Sequence, residues 1–251
     1  MTWRGLALPA LLLLLWQVAA GVAGAAGHAF ISPFQVCVGL GDLARRGLPP
    51  GHLLHLHVLY SLARVLAGFS IAVVVGLPAG MAMGASGLVR TLVRPLVDFL
   101  RPIPPLAWIP LAVPWFGFGI PAAAFIIFLG AFFPISLNTC SGVAAVDRRY
   151  VDVARTLDAS RRDVWLKVLL PGALPSILTG LRVGMGIAWM TLVAAEFADV
   201  REGYGLGYMV MAGRDLQRMD AVLAGMAAIG VTGLALEWGL RRLSERLLRC
   251  A

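Results

Sequence analysis

The feature that most constrains this chain is a series of apolar runs, each long enough to cross a bilayer. Between Val58 and Met83 the one charged residue is Arg64, and Pro121–Val143 contains none. As a helix, a run of about 18 or more apolar residues spans the hydrocarbon core. Only helices and closed barrels satisfy all of their backbone polar groups there. Barrel strands alternate apolar and polar residues with period two, and these runs do not. The chain has 251 residues, 59% hydrophobic and 14% charged, whereas a soluble domain carries about a quarter charged residues. Too few charges remain to coat a water-facing surface. The expected fold is therefore an all-α integral membrane protein of about six transmembrane helices. They cover roughly Leu6–Ala26, Val58–Met83, Leu96–Phe116, Pro121–Val143, Leu174–Phe197 and Ala221–Leu240.

The net charge of +8 is assigned to cytoplasmic loops, not to nucleic-acid binding, because Lys and Arg concentrate on the inner side of membrane proteins. With both termini inside, 14 of the 21 Lys and Arg fall in inside segments, 5 in outside segments, and Arg64 and Arg182 within spans. The reading is a multi-pass protein of the bacterial cytoplasmic membrane with cytoplasmic N- and C-termini. A second reading of the first span stays open. Arg4, the Leu11–Leu15 run and the small residues Ala23, Gly24 and Ala25 also fit a cleaved leader.

Arg101–Pro121 reads RPIPPLAWIPLAVPWFGFGIP and holds six prolines. Proline removes a backbone donor and kinks a helix. Such a break at membrane depth needs cover from protein or a water-lined cavity. Two readings stay open: a segment lining the solute pathway, with Pro104, Pro105 and Trp108 as candidates, or a kink serving packing alone. Gly76, Gly80 and Gly84, like Gly180 and Gly184, recur every four residues, a spacing that lets helices approach closely. Arg182 lies toward the inner side of the fifth span and is a candidate cation on the path of an anionic solute. Arg64 and Glu196 lie near outer span ends, where long side chains snorkel to the interface.

The long inside loop Asp147–Pro171 reads DRRYVDVARTLDASRRDVWLKVLLP. Tyr150, Val153, Ala154 and Leu157 fall at helical spacing and form one apolar face. Asp152 and Arg155 lie at i, i+3 on the polar side, and Asp163 and Lys167 pair at i, i+4. Ser160 followed by Asp163 starts a second helix with a capping pattern. The prediction is two short helices joined by a turn at Asp158–Ser160. A solvated loop needs no apolar face, so that face must pack on something. An amphipathic helix laid in a partner's groove is one such mode.

This loop resembles the Glu-Ala-Ala motif of binding-protein-dependent ABC importer permeases. Asp152, Val153 and Ala154 stand for the triplet, Asp158 for the following glycine, and Leu170–Pro171 for the closing Leu-Pro. The acid is one methylene shorter than the family's, and Asp replaces the glycine. The segments Leu100–Gly119, Phe125–Thr139, Leu174–Phe197 and Gly205–Val210 resemble the taurine, aliphatic-sulfonate and nitrate branch. The resemblance implies the ABC type I importer permease (MetI-like) fold. Residues 1–57 would form a first transmembrane helix and periplasmic loop, and 58–251 the permease core, with coupling helices at about 148–170. It further implies two permease copies, presumed identical in this branch, around a path for a small anionic solute. Cytoplasmic ATPase subunits would dock on Asp152, Val153, Ala154, Arg155, Thr156, Leu157, Asp158, Ala159 and Ser160. A periplasmic or lipid-anchored binding protein would deliver the solute, and lipid would surround the spans.

The chain is not expected to be an enzyme. A phosphate-binding Walker loop needs Gly-Lys-[Ser/Thr], and the only lysine, Lys167, lies between Leu166 and Val168. ATP and Mg would thus be bound by the partner ATPase, with no cofactor in this chain. Neither H-E-x-x-H nor G-x-S-x-G occurs. The cysteines Cys37, Cys140 and Cys250 lack metal spacing. His52, His55 and His57 have no carboxylate close in sequence and read as an amphipathic approach to the second span. Gly203, Gly205 and Gly207 follow no strand, so they do not make a phosphate loop. The alternative function is a secondary transporter not driven by ATP, although the halves show no internal repeat of the kind common there.

Overall fold

A computed structural model of the protein describes residues 4–25, 30–48, 52–198 and 204–250. In chain order the helices are α1 Arg4–Ala25, α2 Pro33–Arg45, α3 Leu54–Ala85, α4 Gly87–Leu100, α5 Ile109–Phe116, α6 Ile120–Ala144, α7 Arg148–Thr156, α8 Arg161–Asp163, α9 Leu170–Ala198, α10 Leu206–Asp215 and α11 Met219–Cys250. A 3₁₀ turn at Pro105–Trp108 precedes α5, and a π-helical stretch at Val164–Leu169 joins α8 to α9. Among the described residues the one β-type pairing is an isolated bridge between Leu48 and His52.

Four helices are long and apolar enough to span a membrane: 54–85, 120–144, 161–198 and 219–249. Helices α4 and α5 make a fifth if the bent pair counts as one span, and α1 carries a shorter apolar stretch, Ala10–Ala23. The expected third span, Leu96–Phe116, is not one kinked rod, because α4 and α5 are bent by 86° across their break. Pro102, Pro104 and Pro105 explain the size of the bend. Each withdraws a donor, and Pro104, ahead of Pro105, is extended at ψ 134°, so the helix does not continue through Arg101–Pro105. The last span runs further than expected. Its 32 residues reach about 48 Å at 1.5 Å per residue, well beyond the bilayer core. Helices α2 and α10 are additional to the expected spans.

The chain divides into two compact units, residues 1–61 with 203–232, and residues 62–202 with 233–251. In the first unit, Ser32 and Gln35 form a reciprocal capping box at the start of α2. Arg218 ties α2 to α11 by bonding Asp42 at 3.0 Å and Asp220 at 2.7 Å. His52 and His57 stay close, their rings edge-on at 6.0 Å, while His55 is exposed. His57 is buried, and its Nδ1 accepts from the Gly205 amide at 3.0 Å. Ser61 Oγ accepts from the Leu206 amide at 2.9 Å. Both side chains thereby satisfy donors that the first turn of α10 leaves open.

The second unit is built on α6 and α9. Glycine is the device that brings its helices together. A Cβ on Gly68 would stand 2.6 Å from Cβ of Ile127, and one on Gly84 2.6 Å from Cβ of Val143. A Cβ on Gly180 would stand 2.8 Å from Cβ of Asn138. The small-residue stripes are therefore packing seams, as their spacing suggests. Arg64 and Glu196 do not snorkel. Their side chains are each 3% exposed and pair at 3.1 Å, linking α3 to α9.

Two outcomes check this packing. Gly180→Leu is expected to cost about 1–3 kcal/mol by overpacking and to lower the Tm of the detergent-purified protein. Gly239→Ala, where a Cβ meets nothing within 4 Å, should leave Tm unchanged or raise it. Arg64→Leu should cost about 3–5 kcal/mol by stranding a buried carboxylate, and the double variant R64L/E196L should recover most of that loss in the same melting assay.

Candidate functional site

The loop between α6 and α9 has the predicted helix–turn–helix form. Asp147 caps α7, its Oδ1 accepting from the Arg149 amide at 3.0 Å. Thr156 Oγ1 donates to the Val153 carbonyl at 2.7 Å. The helix ends in a paired bond pattern. The Ala159 amide donates to the Ala154 carbonyl at 3.0 Å, and the Asp158 amide to the Arg155 carbonyl at 3.1 Å. These 6→1 and 5→2 bonds define a Schellman cap, whose penultimate position needs left-handed backbone. Asp158 occupies it with φ 54°. Glycine suits that position best, and Asp tolerates it better than most residues.

Ser160 then caps the second helix. Its Oγ accepts from the Asp163 amide at 3.2 Å while its hydroxyl donates to the Asp163 carboxylate. Lys167 pairs with Asp163 at 2.7 Å. Pro171 offers no amide to the Lys167 carbonyl, and the backbone just upstream widens to the π-helical form at Val164–Leu169. Buried Val164 anchors this arm. The apolar face of α7 is left open, with Tyr150 66%, Val153 57% and Leu157 77% exposed. Asp152, Arg155, Thr156, Asp158 and Ser160 are exposed around it, and Ala154 and Ala159 are half-buried across the cap.

A cavity of about 400 Å³ lies within the second unit, between the broken span, α6 and α9. Arg101, Ile103 and Pro105 form one wall, and Gly130, Pro134, Asn138 and Ser141 of α6 form another. Of the pathway candidates read from the sequence, Pro105 lines this space, whereas Pro104, Trp108 and Arg182 do not. Trp108 meets the Phe125 ring edge-on at 6.5 Å, and Arg182 Nε donates to Ser244 Oγ at 3.3 Å. The polar lining residues Arg101, Asn138 and Ser141 are not among the sequence candidates. The available signal was the i, i+4, i+7 recurrence of Pro134, Asn138 and Ser141 on one face of a mostly apolar helix. A guanidinium with an amide and a hydroxyl in an apolar wall can bind a small anion while leaving it weakly held.

With this geometry in view, the resemblances to known proteins are informative. The taurine transport system permease protein TauC of Escherichia coli is 44% identical over 191 residues, covering 76% of this chain and 69% of TauC. The nitrate import permease protein NrtB of Synechocystis is 34% identical over 234 residues, covering 91% of this chain and 82% of NrtB. Among solved structures, a chain of the MetNI methionine ABC transporter in inward-facing form aligns with a TM-score of 0.63 at 21% identity. That alignment covers 77% of this chain and 94% of the other and shows a shared fold. These relatives remove the ATP-independent secondary transporter as an alternative. Residues 72–249 match the binding-protein-dependent transport system inner membrane component family, and the chain belongs to that family as a permease subunit of an ABC importer.

Proposed function

We propose that this chain forms the translocation path for a small oxyanion and couples it to a separate ATPase through the Asp147–Pro171 loop. The observation that carries the reading is the open apolar face of Tyr150, Val153 and Leu157 on a helix capped rigidly at both ends. Three large apolar side chains held out from a charged loop are the pattern of an anchor for a partner's groove. The partner is a cytoplasmic ATPase that binds ATP and Mg. The residues of the contact are Asp152, Val153, Ala154, Arg155, Thr156, Leu157, Asp158, Ala159 and Ser160. Two permease copies, taken as identical, enclose the path, and a periplasmic or lipid-anchored binding protein supplies solute at the outer face.

Residues 58–251 act as the permease core, and residues 1–57 add a membrane helix with the outer loop that follows it. The charge distribution places both termini on the cytoplasmic side of the inner membrane, so the loop faces the compartment that holds ATP. Taurine and nitrate, named for two relatives, share a compact, delocalised oxyanion. The cavity offers Arg101 with Asn138 and Ser141 for such a group. Pro104, Pro105, Trp108 and Arg182 complete the candidate path. The prolines shape the bend that opens the cavity, and Arg182 adds positive charge nearer the inner end.

Truncating an interface anchor commonly costs about 1–2 kcal/mol or more, roughly tenfold in affinity. Leu157→Ala is therefore expected to cut ATPase copurification about tenfold, with the permease's helix content and Tm unchanged. Normal copurification and normal uptake in Leu157→Ala and in charge reversals at Asp152 and Arg155 would refute the docking role. The cap gives a second check. Asp158→Gly should retain coupling, whereas Asp158→Val, β-branched in left-handed backbone, should abolish ATPase stimulation by solute-loaded binding protein.

A further inference from the structure

Arg64 of α3 and Glu196 of α9 pair at 3.1 Å with both side chains 3% exposed. A fold that needed only adhesion between these helices would do as well with hydrocarbon, since replacing a buried ion pair by apolar residues of similar volume is often neutral or stabilising. Ionisable residues kept at membrane depth commonly mark a solute path. Here the pair borders a small pocket of about 40 Å³, distinct from the larger cavity. Its remaining walls are Ile109 and Val113 of α5, Phe118, and alanines and Ile126 from α6 and the end of α9. Among the described residues, Arg64 and Glu196 are the only charged groups that line it.

An anion reaching this pocket meets the Arg64 guanidinium, which the Glu196 carboxylate already holds. Sulfonate, nitrate and carboxylate all present adjacent oxygens to the planar fork of a guanidinium. We propose that Arg64 is an oxyanion subsite of the translocation path and that the Glu196 carboxylate is its resident substitute, displaced when a transported oxyanion arrives. The inference rests on the permease reading and adds a second anion site to it. Glu196 lies in the last turn of α9, so its side chain can swing toward that helix end on release.

The pocket has room for about three or four waters at ~10–15 Å³ each, so a wall must yield to admit an anion. Phe118 is the wall placed to do so. It stands between Gly117 at φ 76° and Gly119 at φ 101°, backbone that glycine adopts without the usual steric cost. The joint between α5 and α6 can therefore turn without breaking either helix.

The test measures anion-dependent thermal stability of the purified full-length protein, since a ligand bound to the folded state raises Tm with concentration. Nitrate and taurine are titrated at constant ionic strength against wild type, Glu196→Gln and R64Q/E196Q. If the pair is open about 10% of the time or less, E196Q should lower the half-maximal anion concentration about tenfold or more. The double variant should lose the anion response. Phe118→Ala, which keeps both charges and widens the wall, should also lower the half-maximal concentration, and it serves if E196Q does not accumulate. Equal responses in all variants, or no response in E196Q and F118A, would overturn the subsite. ATPase copurification is unaffected by either result, so failure here is distinguishable from failure of the docking reading.

Discussion

Everything in this structure follows from one constraint: the bilayer core supplies no water to bond a backbone amide or carbonyl. Helices meet that demand internally, so the chain is helical almost throughout its described length. Hydrocarbon also removes the ordinary hydrophobic drive between helices, because lipid tails are as apolar as leucine. Association must come from close approach. Gly68, Gly84 and Gly180 let backbones meet where any Cβ would fall within 3 Å of a neighbour. The α6–α9 pair made in this way is the frame on which the loop and both pockets are mounted.

The same constraint explains where the structure departs from regularity. Arg101–Pro105 breaks a helix where Arg101, Ile103 and Pro105 border a cavity. The π-helical stretch before α9, Val164–Leu169, belongs to the second arm of the Asp147–Pro171 loop. Irregular backbone thus coincides with the two regions on which the proposed function rests, the cavity and the Asp147–Pro171 loop. Capping at Asp147, Asp158–Ala159 and Ser160 fixes the ends of the loop's helices, as the proposed coupling role requires.

Much of this was legible in the sequence. Run length and charge placement gave the long helices, and the alternation around Val153 and Leu157 gave α7 with its exposed face. The oddity at Asp158 acquired a reason in three dimensions, as the left-handed position of a Schellman cap. Other features could not be read locally. Three prolines in four residues announce a break, but not an angle of 86°. Arg64 and Glu196 are 132 residues apart, and each alone looks like an interfacial residue. Helix α2 did carry a signal, Ser32 with Gln35 and proline at the first helical position, in a stretch dominated by its apolar neighbours. The role of His57 depended on Gly205, 148 residues away.

The central claim is that the face of α7 seats in an ATPase. The most direct measurement places a photo-crosslinking amino acid at position 157 of the full-length protein in native membranes and identifies the adduct by mass spectrometry. The account predicts a single protein adduct, a nucleotide-binding subunit carrying a Walker motif, whose yield changes with ATP. Adducts to lipid or to a second copy of this chain, with no ATPase among them, would contradict it.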